Sequence, residues 1–138
     1  MKIVKRIILL KVLLSFSLVA LAPSRTTLTI SVPQPVEPYR KLINAIGNVE
    51  TKFDTLAFNP DEMAVGFFQI RPIRLNDYNK RTGNNYTIKD LYNYRVSEEI
   101  FLFYADEIGP YNFEKIAKNW NGSGPKTLYY WEKVKKLI

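Results

Sequence analysis

The side chains that could do chemistry in this chain are few in kind. The sequence of 138 residues contains no cysteine and no histidine. Cysteine nucleophiles, Ser-His-Asp triads and zinc sites built on histidine or cysteine are therefore excluded. Carboxylates, lysines and tyrosines remain, so any catalysis has to be built on these groups. Because no disulfide can form, side-chain packing has to hold the fold together.

Glu50 has the most informative surroundings of the carboxylates. A helix over residues 39–53 is predicted by apolar residues at helical spacing, namely Leu42, Ile43, Ile46, Val49 and Phe53. Glu50 lies at helical spacing from Ile46 and Phe53, which puts it at the edge of the apolar face. A carboxyl that is partly removed from water has a raised pKa, which suits proton donation near neutrality. Periodicity alone favours a solvated helix glutamate, so Glu50 is at this point only a candidate acid.

Two later segments contain residue types that suit carbohydrate recognition. Residues 66–70 read Gly-Phe-Phe-Gln-Ile, a glycine followed by two large apolar residues and an amide. Residues 120–125 read Trp-Asn-Gly-Ser-Gly-Pro, an aromatic residue beside a glycine-rich turn. Aromatic rings beside such turns often line carbohydrate grooves, because the flat apolar faces of sugars stack on them. Taken alone, the first segment fits an ordinary stretch of core, and the second fits a turn that ends a helix.

Helical signals dominate the chain after residue 39 and predict an all-α domain that would position these segments. The expected helices run from Pro72 to just before Gly83, from Ser97 to Gly109, over 113–120 and over 126–137, with loops at 54–65 and 121–125. Ser97 is expected to cap its helix, with Glu98 and Glu99 in the first turn. Thr87 and Asp90 have the spacing of a capping box. No strand alternation is evident.

The first 38 residues have the composition of a leader and a linker. Residues 1–22 combine a basic start with an apolar run, which is typical of a secretory signal peptide or of a membrane anchor helix. Residues 23–38 form a proline-rich linker, and the folded domain is expected at 39–138. The net charge of +7 falls to +3 without the four basic residues of the leader, so nothing indicates a nucleic-acid partner. We expect an exported protein of the periplasm or cell envelope, with possible membrane anchoring through residues 1–22.

The order and spacing of these motifs resemble the soluble lytic transglycosylase domain, a branch of the lysozyme-like fold. Glu50 and Thr51 take the place of that family's Glu-Ser at the end of its first helix. Residues 66–69 take the place of its Gly-Leu-Met-Gln, beginning sixteen residues after Glu50. Residues 120–122 correspond to Tyr-Asn-Ala, and residues 130–134 fit a closing Tyr-x-x-x-Val. The resemblance covers residues 39–138.

The resemblance implies a small lysozyme-like helical domain with a cleft, acting on peptidoglycan glycan strands. Glu50 would protonate the oxygen between N-acetylmuramic acid (MurNAc) and N-acetylglucosamine (GlcNAc). It would then take the proton from the muramic 6-hydroxyl, leaving a 1,6-anhydro end. Neither a metal nor an organic cofactor is implied. The implied substrate-binding residues are Thr51, Gly66, Phe68, Gln69, Trp120, Asn121 and Tyr130, of which Trp120 and Tyr130 would offer stacking surface.

This chain departs from the family pattern at four points, which bear on substrate preference and rate. Thr51 replaces serine and keeps the hydroxyl. Phe67 and Phe68 replace leucine and methionine, which makes that motif bulkier. Trp120 replaces tyrosine and loses a hydroxyl, and residues 122–123 read Gly-Ser in place of Ala-Gly.

Three other functions remain open on sequence grounds. The first is hydrolysis on the same fold, as in goose-type lysozymes, with Asp54, Asp61 or Glu62 holding a water molecule. The second is a non-catalytic glycan-binding module that retains the groove. The third is an unrelated helical adaptor, in which Glu50 and Gln69 would be incidental.

Overall fold

The computed structural model describes residues 37–138. The expected leader at 1–22 and residues 23–36 of the expected linker lie outside this range. The elements in order are α1 (Arg40–Thr51), β1 (Phe58–Asn59), β2 (Ala64–Val65), α2 (Pro72–Thr82), a 3₁₀ helix (Ile88–Tyr92), α3 (Tyr94–Asp106), α4 (Phe113–Asn121) and α5 (Lys126–Lys135). Within residues 37–138, no helix has the length and apolar character needed to cross a membrane.

The predicted helical class is confirmed, and most helices lie close to their expected positions. α1 ends earlier than predicted, because Lys52 and Phe53 adopt left-handed backbone conformations with φ of 56° and 70°. The backbone N–H groups of these two residues donate to the carbonyls of Asn48 and Gly47 and close the helix. Glu50 therefore lies in the last turn of α1, and the ring of Phe53 is half exposed.

The prediction of a continuous loop over residues 54–65 is wrong. Phe58 pairs with Val65 and Asn59 with Ala64 to form a small antiparallel hairpin. Two-residue strands are too short to produce a visible alternation of polar and apolar residues, which explains why the sequence pattern missed them. The hairpin forms one wall of the groove described below.

The expected capping role of Ser97 is also wrong. α3 begins three residues earlier, and the side chain of Asn93 accepts the cap hydrogen bond from the backbone N–H of Arg95 at 3.0 Å. Ser97 is fully buried, and its hydroxyl donates to the carbonyl of Leu91 at 2.6 Å. This bond fastens α3 to the 3₁₀ helix. The capping box of Thr87 and Asp90 is confirmed.

The segment from Gly66 to Ile70 passes through the core and is fixed by close contacts. The ring of Phe68 stacks on that of Phe101 at a centroid distance of 4.8 Å. Gly66 has φ of 75°, and a Cβ atom there would lie 2.2 Å from the carbonyl oxygen of Leu91. Only glycine fits at this position, because a side chain would collide with backbone and would strain the turn.

Gly47 makes room for the same segment from the side of α1. A Cβ atom on Gly47 would lie 2.0 Å from Cζ of Phe67, so the ring rests directly on the helix backbone. This contact places the segment 66–70 against the last turns of α1, where Glu50 is found.

Gly47→Ala should therefore destabilise the protein, although alanine is favoured over glycine in a helix by about 1 kcal/mol. Overpacking of a core costs about 1–3 kcal/mol, so we expect a net loss of unfolding free energy of about 1 kcal/mol in urea titrations. In the double variant Gly47→Ala/Phe67→Leu, the smaller side chain should recover part of that loss. A Gly47→Ala protein as stable as the wild type would show that the ring does not pack on this glycine.

Candidate active site

Glu50 contacts a residue from the opposite end of the domain. The phenol Oη of Tyr130, on α5, donates a hydrogen bond to Oε1 of Glu50 at 2.7 Å. Helix α5 packs on both α1 and α4, which holds the two side chains together. Tyr130 is almost completely buried, whereas Glu50 keeps partial exposure. Its carboxyl is thus oriented by one donor and still open to a ligand.

The surroundings of Glu50 favour its protonated form. Burial raises the pKa of Glu50 above its ordinary value, and this effect exceeds the opposing hydrogen bond from Tyr130 and the positive charge of Arg71. The negative charge of Glu62 also raises it. Burial, followed by the charge of Glu50, raises the pKa of Tyr130, so the phenol stays neutral and acts as a donor. A carboxyl in this setting suits general acid catalysis.

Two adjoining pockets form a continuous groove over this pair. The inner pocket has a volume of about 130 Å³ and is lined by Glu50, Glu62, Gln69, Arg71, Ile73, Arg74, Trp120 and Asn121. The outer pocket has a volume of about 720 Å³ and is lined by Glu62, Arg71, Asn121, Gly122, Ser123, Lys126, Tyr129, Tyr130 and Lys133. The two share Glu62, Arg71 and Asn121. We call them together the groove.

An ion pair joins the hairpin wall of the groove to Arg71, which directly precedes α2. Arg71 donates from Nε to Oε2 of Glu62 at 2.8 Å, and its Nη2 lies 2.7 Å from the same oxygen. Glu62 belongs to the hairpin wall. The Nη1 atom of Arg71 points to the other wall, where it would lie 3.9 Å from a Cβ atom on Gly122. Arg71 therefore lies between the hairpin and the turn that joins α4 to α5.

Arg74 supports the inner pocket from beneath. Its Nη2 donates to the carbonyls of Asn119 and Trp120, at 3.1 and 3.2 Å, at the end of α4. Its guanidinium lies over the rings of Trp120 and Tyr104, at 4.2 and 4.9 Å from their centroids. A cation at a helix C-terminus is favourable, so Arg74 fixes the end of α4 that carries Trp120 and Asn121. Its charge also lowers the pKa of Glu50, although by less than burial raises it.

The structure brings five of the eight sequence-predicted site residues to the groove. Glu50, Gln69, Trp120 and Asn121 line the inner pocket, and Tyr130 lines the outer one. The side-chain amide of Gln69 is held by a 3.0 Å hydrogen bond to the carbonyl of Gly66.

The remaining three predicted residues, Thr51, Gly66 and Phe68, line neither pocket and hold the wall in place. The hydroxyl of Thr51 lies 3.2 Å from the carbonyls of both Gly47 and Phe67, which connects α1 to the segment 66–70. Gly66 forms the tight turn described above. The side chain of Phe68 is fully buried, so it is not available to a substrate.

The expected stacking role of Trp120 and Tyr130 needs correction. Both residues are buried, with 6% and 7% of their surface exposed. The indole Nε1 of Trp120 donates to the carbonyl of Phe68 at 3.0 Å, and the phenol of Tyr130 is bound to Glu50. Trp120 is a structural part of the groove floor, and Tyr130 is a partner of the acid.

Of the three loop acids considered for hydrolysis, only Glu62 lines the groove. The carboxyl of Asp54 accepts a hydrogen bond from the backbone N–H of Leu56 at 2.8 Å. Asp61 lies exposed in the turn of the hairpin. Glu62 lies in the groove, with Oε2 engaged by two nitrogens of Arg71.

Sequence reasoning missed Arg71 and Arg74, although a signal was present. The two arginines flank Pro72 at a spacing of three, which is the spacing of side chains on one face of a first helical turn. They directly follow the Gly66–Ile70 segment. Two cations on one face beside a candidate acid would have indicated an electrostatic role.

The comparisons with known proteins return no relative. No family model, curated protein or solved structure matches this chain. Within residues 37–138, no group of three or more acidic, histidine or cysteine side chains is placed to hold a metal ion. We therefore infer function from the chemistry of the groove and from the resemblance of the motifs.

Compared with the wild type, Glu50→Gln should have a higher unfolding free energy at neutral pH, and its advantage should be smaller at acidic pH. The pKa of Glu50 is raised in the folded state. The wild-type protein therefore has its full unfolding free energy below the unfolded-state pKa of this group and loses part of it as pH rises through the folded-state pKa. Glutamine does not ionise and avoids this loss, which is about 1.4 kcal/mol for each tenfold difference in proton affinity. Urea titrations of both proteins at pH 4 and pH 7.5 measure the effect. An equal stability difference at both pH values would contradict it.

Tyr130→Phe should raise the pKa of Glu50 further. The hydrogen bond from Tyr130 favours the carboxylate, so the pKa rises when the donor is removed. Titration of the Glu50 carboxyl by ¹³C NMR measures the change. Tyr129→Phe is the matched control, because the neighbouring Tyr129 is exposed and should leave this pKa unchanged. An unchanged or lower pKa in Tyr130→Phe would show that the hydrogen bond does not control the acid.

Proposed function

We propose that residues 39–138 form a lysozyme-like lytic transglycosylase domain that cleaves the MurNAc-GlcNAc β-1,4 bond of peptidoglycan. The observation that supports this most is the carboxyl of Glu50, with its raised pKa, at the floor of an open groove. The resemblance of the motifs around Glu50, Gln69, Trp120 and Tyr130 gives the substrate class. Neither observation requires a cofactor.

In the first step, the protonated Glu50 donates its proton to the glycosidic oxygen. The bond between that oxygen and C1 of the muramic residue breaks, and the GlcNAc side leaves as an alcohol. Positive charge develops at C1 and is relieved by the oxygen of the substrate's own 2-acetamido group. The carboxylate formed on Glu50 is stabilised by the 2.7 Å hydrogen bond from Tyr130.

In the second step, the same carboxylate acts as the base. Glu50 takes the proton of the muramic 6-hydroxyl as that oxygen bonds to C1. The product is a 1,6-anhydro ring, Glu50 is protonated again, and no water is consumed. Because the 6-hydroxyl is tethered to the reacting sugar, its effective concentration exceeds that of an unpositioned water. One carboxyl therefore suffices, whereas most glycosidases need two.

Hydrolysis in the manner of a goose-type lysozyme is the second candidate, and the position of Glu62 is the observation that favours it. This carboxylate lines the groove beside Glu50 and could hold a water. We prefer the transglycosylase because Oε2 of Glu62 already accepts a hydrogen bond from Nε of Arg71 and is ion-paired with its Nη2, which competes with the binding of a water. A non-catalytic glycan-binding module would retain the groove without cleaving the strand.

The proposed setting is the cell envelope. A leader at residues 1–22 would export the protein or anchor it to the membrane, and the linker would hold the domain away from that point. The glycan strand is the proposed partner, and the domain would act on it in the periplasm or at the wall.

A matched pair of substitutions tests this proposal. Glu50→Gln should lower the turnover of purified peptidoglycan by about 10²–10⁴-fold, the usual value of a general acid. Glu62→Gln should stay within a few-fold of wild type, because no base other than Glu50 is needed. A zymogram together with turnover measurements on folded proteins reports both values. Wild-type turnover in Glu50→Gln would contradict the assignment, and a loss of similar size in Glu62→Gln would favour the hydrolase.

A further inference from the structure

The outer pocket has a positively charged wall that the proposed chemistry does not use. Lys126, Tyr129 and Lys133 follow one another along α5 and line this pocket beyond Tyr130. The ring of Tyr129 is exposed, and the Nζ atom of Lys133 lies 4.5 Å from its centroid. These residues form a stripe, which we call the lysine face and define by Lys126, Tyr129 and Lys133.

The charge of the lysine face is not neutralised within the protein. Within residues 37–138, no carboxylate lies within 4.0 Å of the ammonium group of Lys126 or Lys133. Residues 1–36 contain no aspartate or glutamate, so they could not supply one. The only acid that lines the outer pocket is Glu62, and Arg71 is paired with it. The pocket therefore has an excess of positive charge, which attracts an anionic ligand.

We propose that the lysine face binds the carboxylates of the stem peptides that project from the glycan strand. This inference rests on the proposed function, because it places the reacting sugars over Glu50 and the peptide in the adjoining outer pocket. The outer pocket, with a volume of about 720 Å³, adjoins the inner one and is the larger of the two, so it leaves room for a peptide beside the sugars.

The spacing of the two lysines favours a peptide as the occupant. Lys126 and Lys133 are seven residues apart, which is about 10.5 Å along a helix. Two cations at backbone positions this far apart suit a ligand with more than one anionic group, and a stem peptide presents more than one carboxylate along its length. The exposed ring of Tyr129 between them offers an apolar contact for the peptide's short side chains.

The face would also make the protein selective among glycans. A neutral chitooligosaccharide has the same backbone linkage but no carboxylate, so it gains nothing from the lysines. Peptide-free strands have one carboxylate on each muramic residue, close to the sugar ring. Peptide-bearing strands place carboxylates farther from the ring, on the side where the proposed arrangement puts the outer pocket.

The test compares Lys126→Gln/Lys133→Gln with a control of equal charge, Lys80→Gln/Lys89→Gln, whose two exposed lysines line none of these pockets. Both pairs are introduced into Glu50→Gln, so that binding is measured without cleavage. The ligands are peptide-bearing strands, amidase-treated peptide-free strands and chitooligosaccharides, each at low and high salt. Each exposed ion pair contributes little, so we expect the first variant to bind peptide-bearing strands about five- to tenfold more weakly.

The loss should be confined to peptide-bearing strands and should diminish at high salt. The control pair should bind all three ligands as the parent does. An equal loss on peptide-free strands or on chitooligosaccharides would overturn the assignment to stem peptides, as would unchanged binding to all three. Failure of the proposed function is seen separately, as an absence of cleavage by the wild type in the presence of normal, lysine-dependent binding.

Discussion

The hydrogen bond between Tyr130 and Glu50 is the interaction on which the groove depends. It joins residues that are 80 positions apart in the chain, and it exists only because α5 returns to pack on α1. Burial raises the proton affinity of the carboxyl, and the phenol limits this increase while fixing the direction of the acid. The two effects together suit the carboxyl to the two roles that the proposed mechanism gives it, first as acid and then as base. The rest of the site surrounds this pair.

The segment 66–70 is packed closely against its neighbours at two glycines, where backbone meets a ring or another backbone. The absence of a side chain leaves room for the ring of Phe67 at Gly47 and for the carbonyl of Leu91 at Gly66. In the segment 66–70, the carbonyl of Phe67 accepts a hydrogen bond from Thr51 and the carbonyl of Phe68 accepts one from Trp120, so this segment connects α1 to α4 beneath the inner pocket. An acid kept partly away from water costs stability at neutral pH, and the dense packing of the aromatic core offsets that cost.

The sequence predicted the helical class, most helix positions and the place of Glu50 at the edge of the buried face of α1, since each follows from local periodicity. It did not predict the hairpin, whose strands are too short for a periodic signal. It also misplaced the start of α3, because serine is a common N-cap residue but Ser97 is buried inside the helix. The roles of Trp120 and Tyr130 were misassigned because exposure is decided by tertiary packing. Tertiary packing brings α2, α5 and the hairpin together at one groove. The proximity of Arg71, Arg74 and the lysine face to Glu50 could therefore not be predicted from the sequence. The types of the functional side chains were evident from the sequence, but whether each one points to solvent or to the core was not.

In the proposed mechanism, one carboxyl in the groove acts first as acid and then as base on a tethered hydroxyl. The mass of the products tests this mechanism most directly, because it shows whether water or the 6-hydroxyl was added to C1. Digestion of purified peptidoglycan by the wild-type protein should release muropeptides that are one water lighter than those released by a muramidase, with no reducing muramic end. Products that carry reducing muramic ends would contradict the claim, because they would show that water attacks C1 and that a second group in the groove activates it.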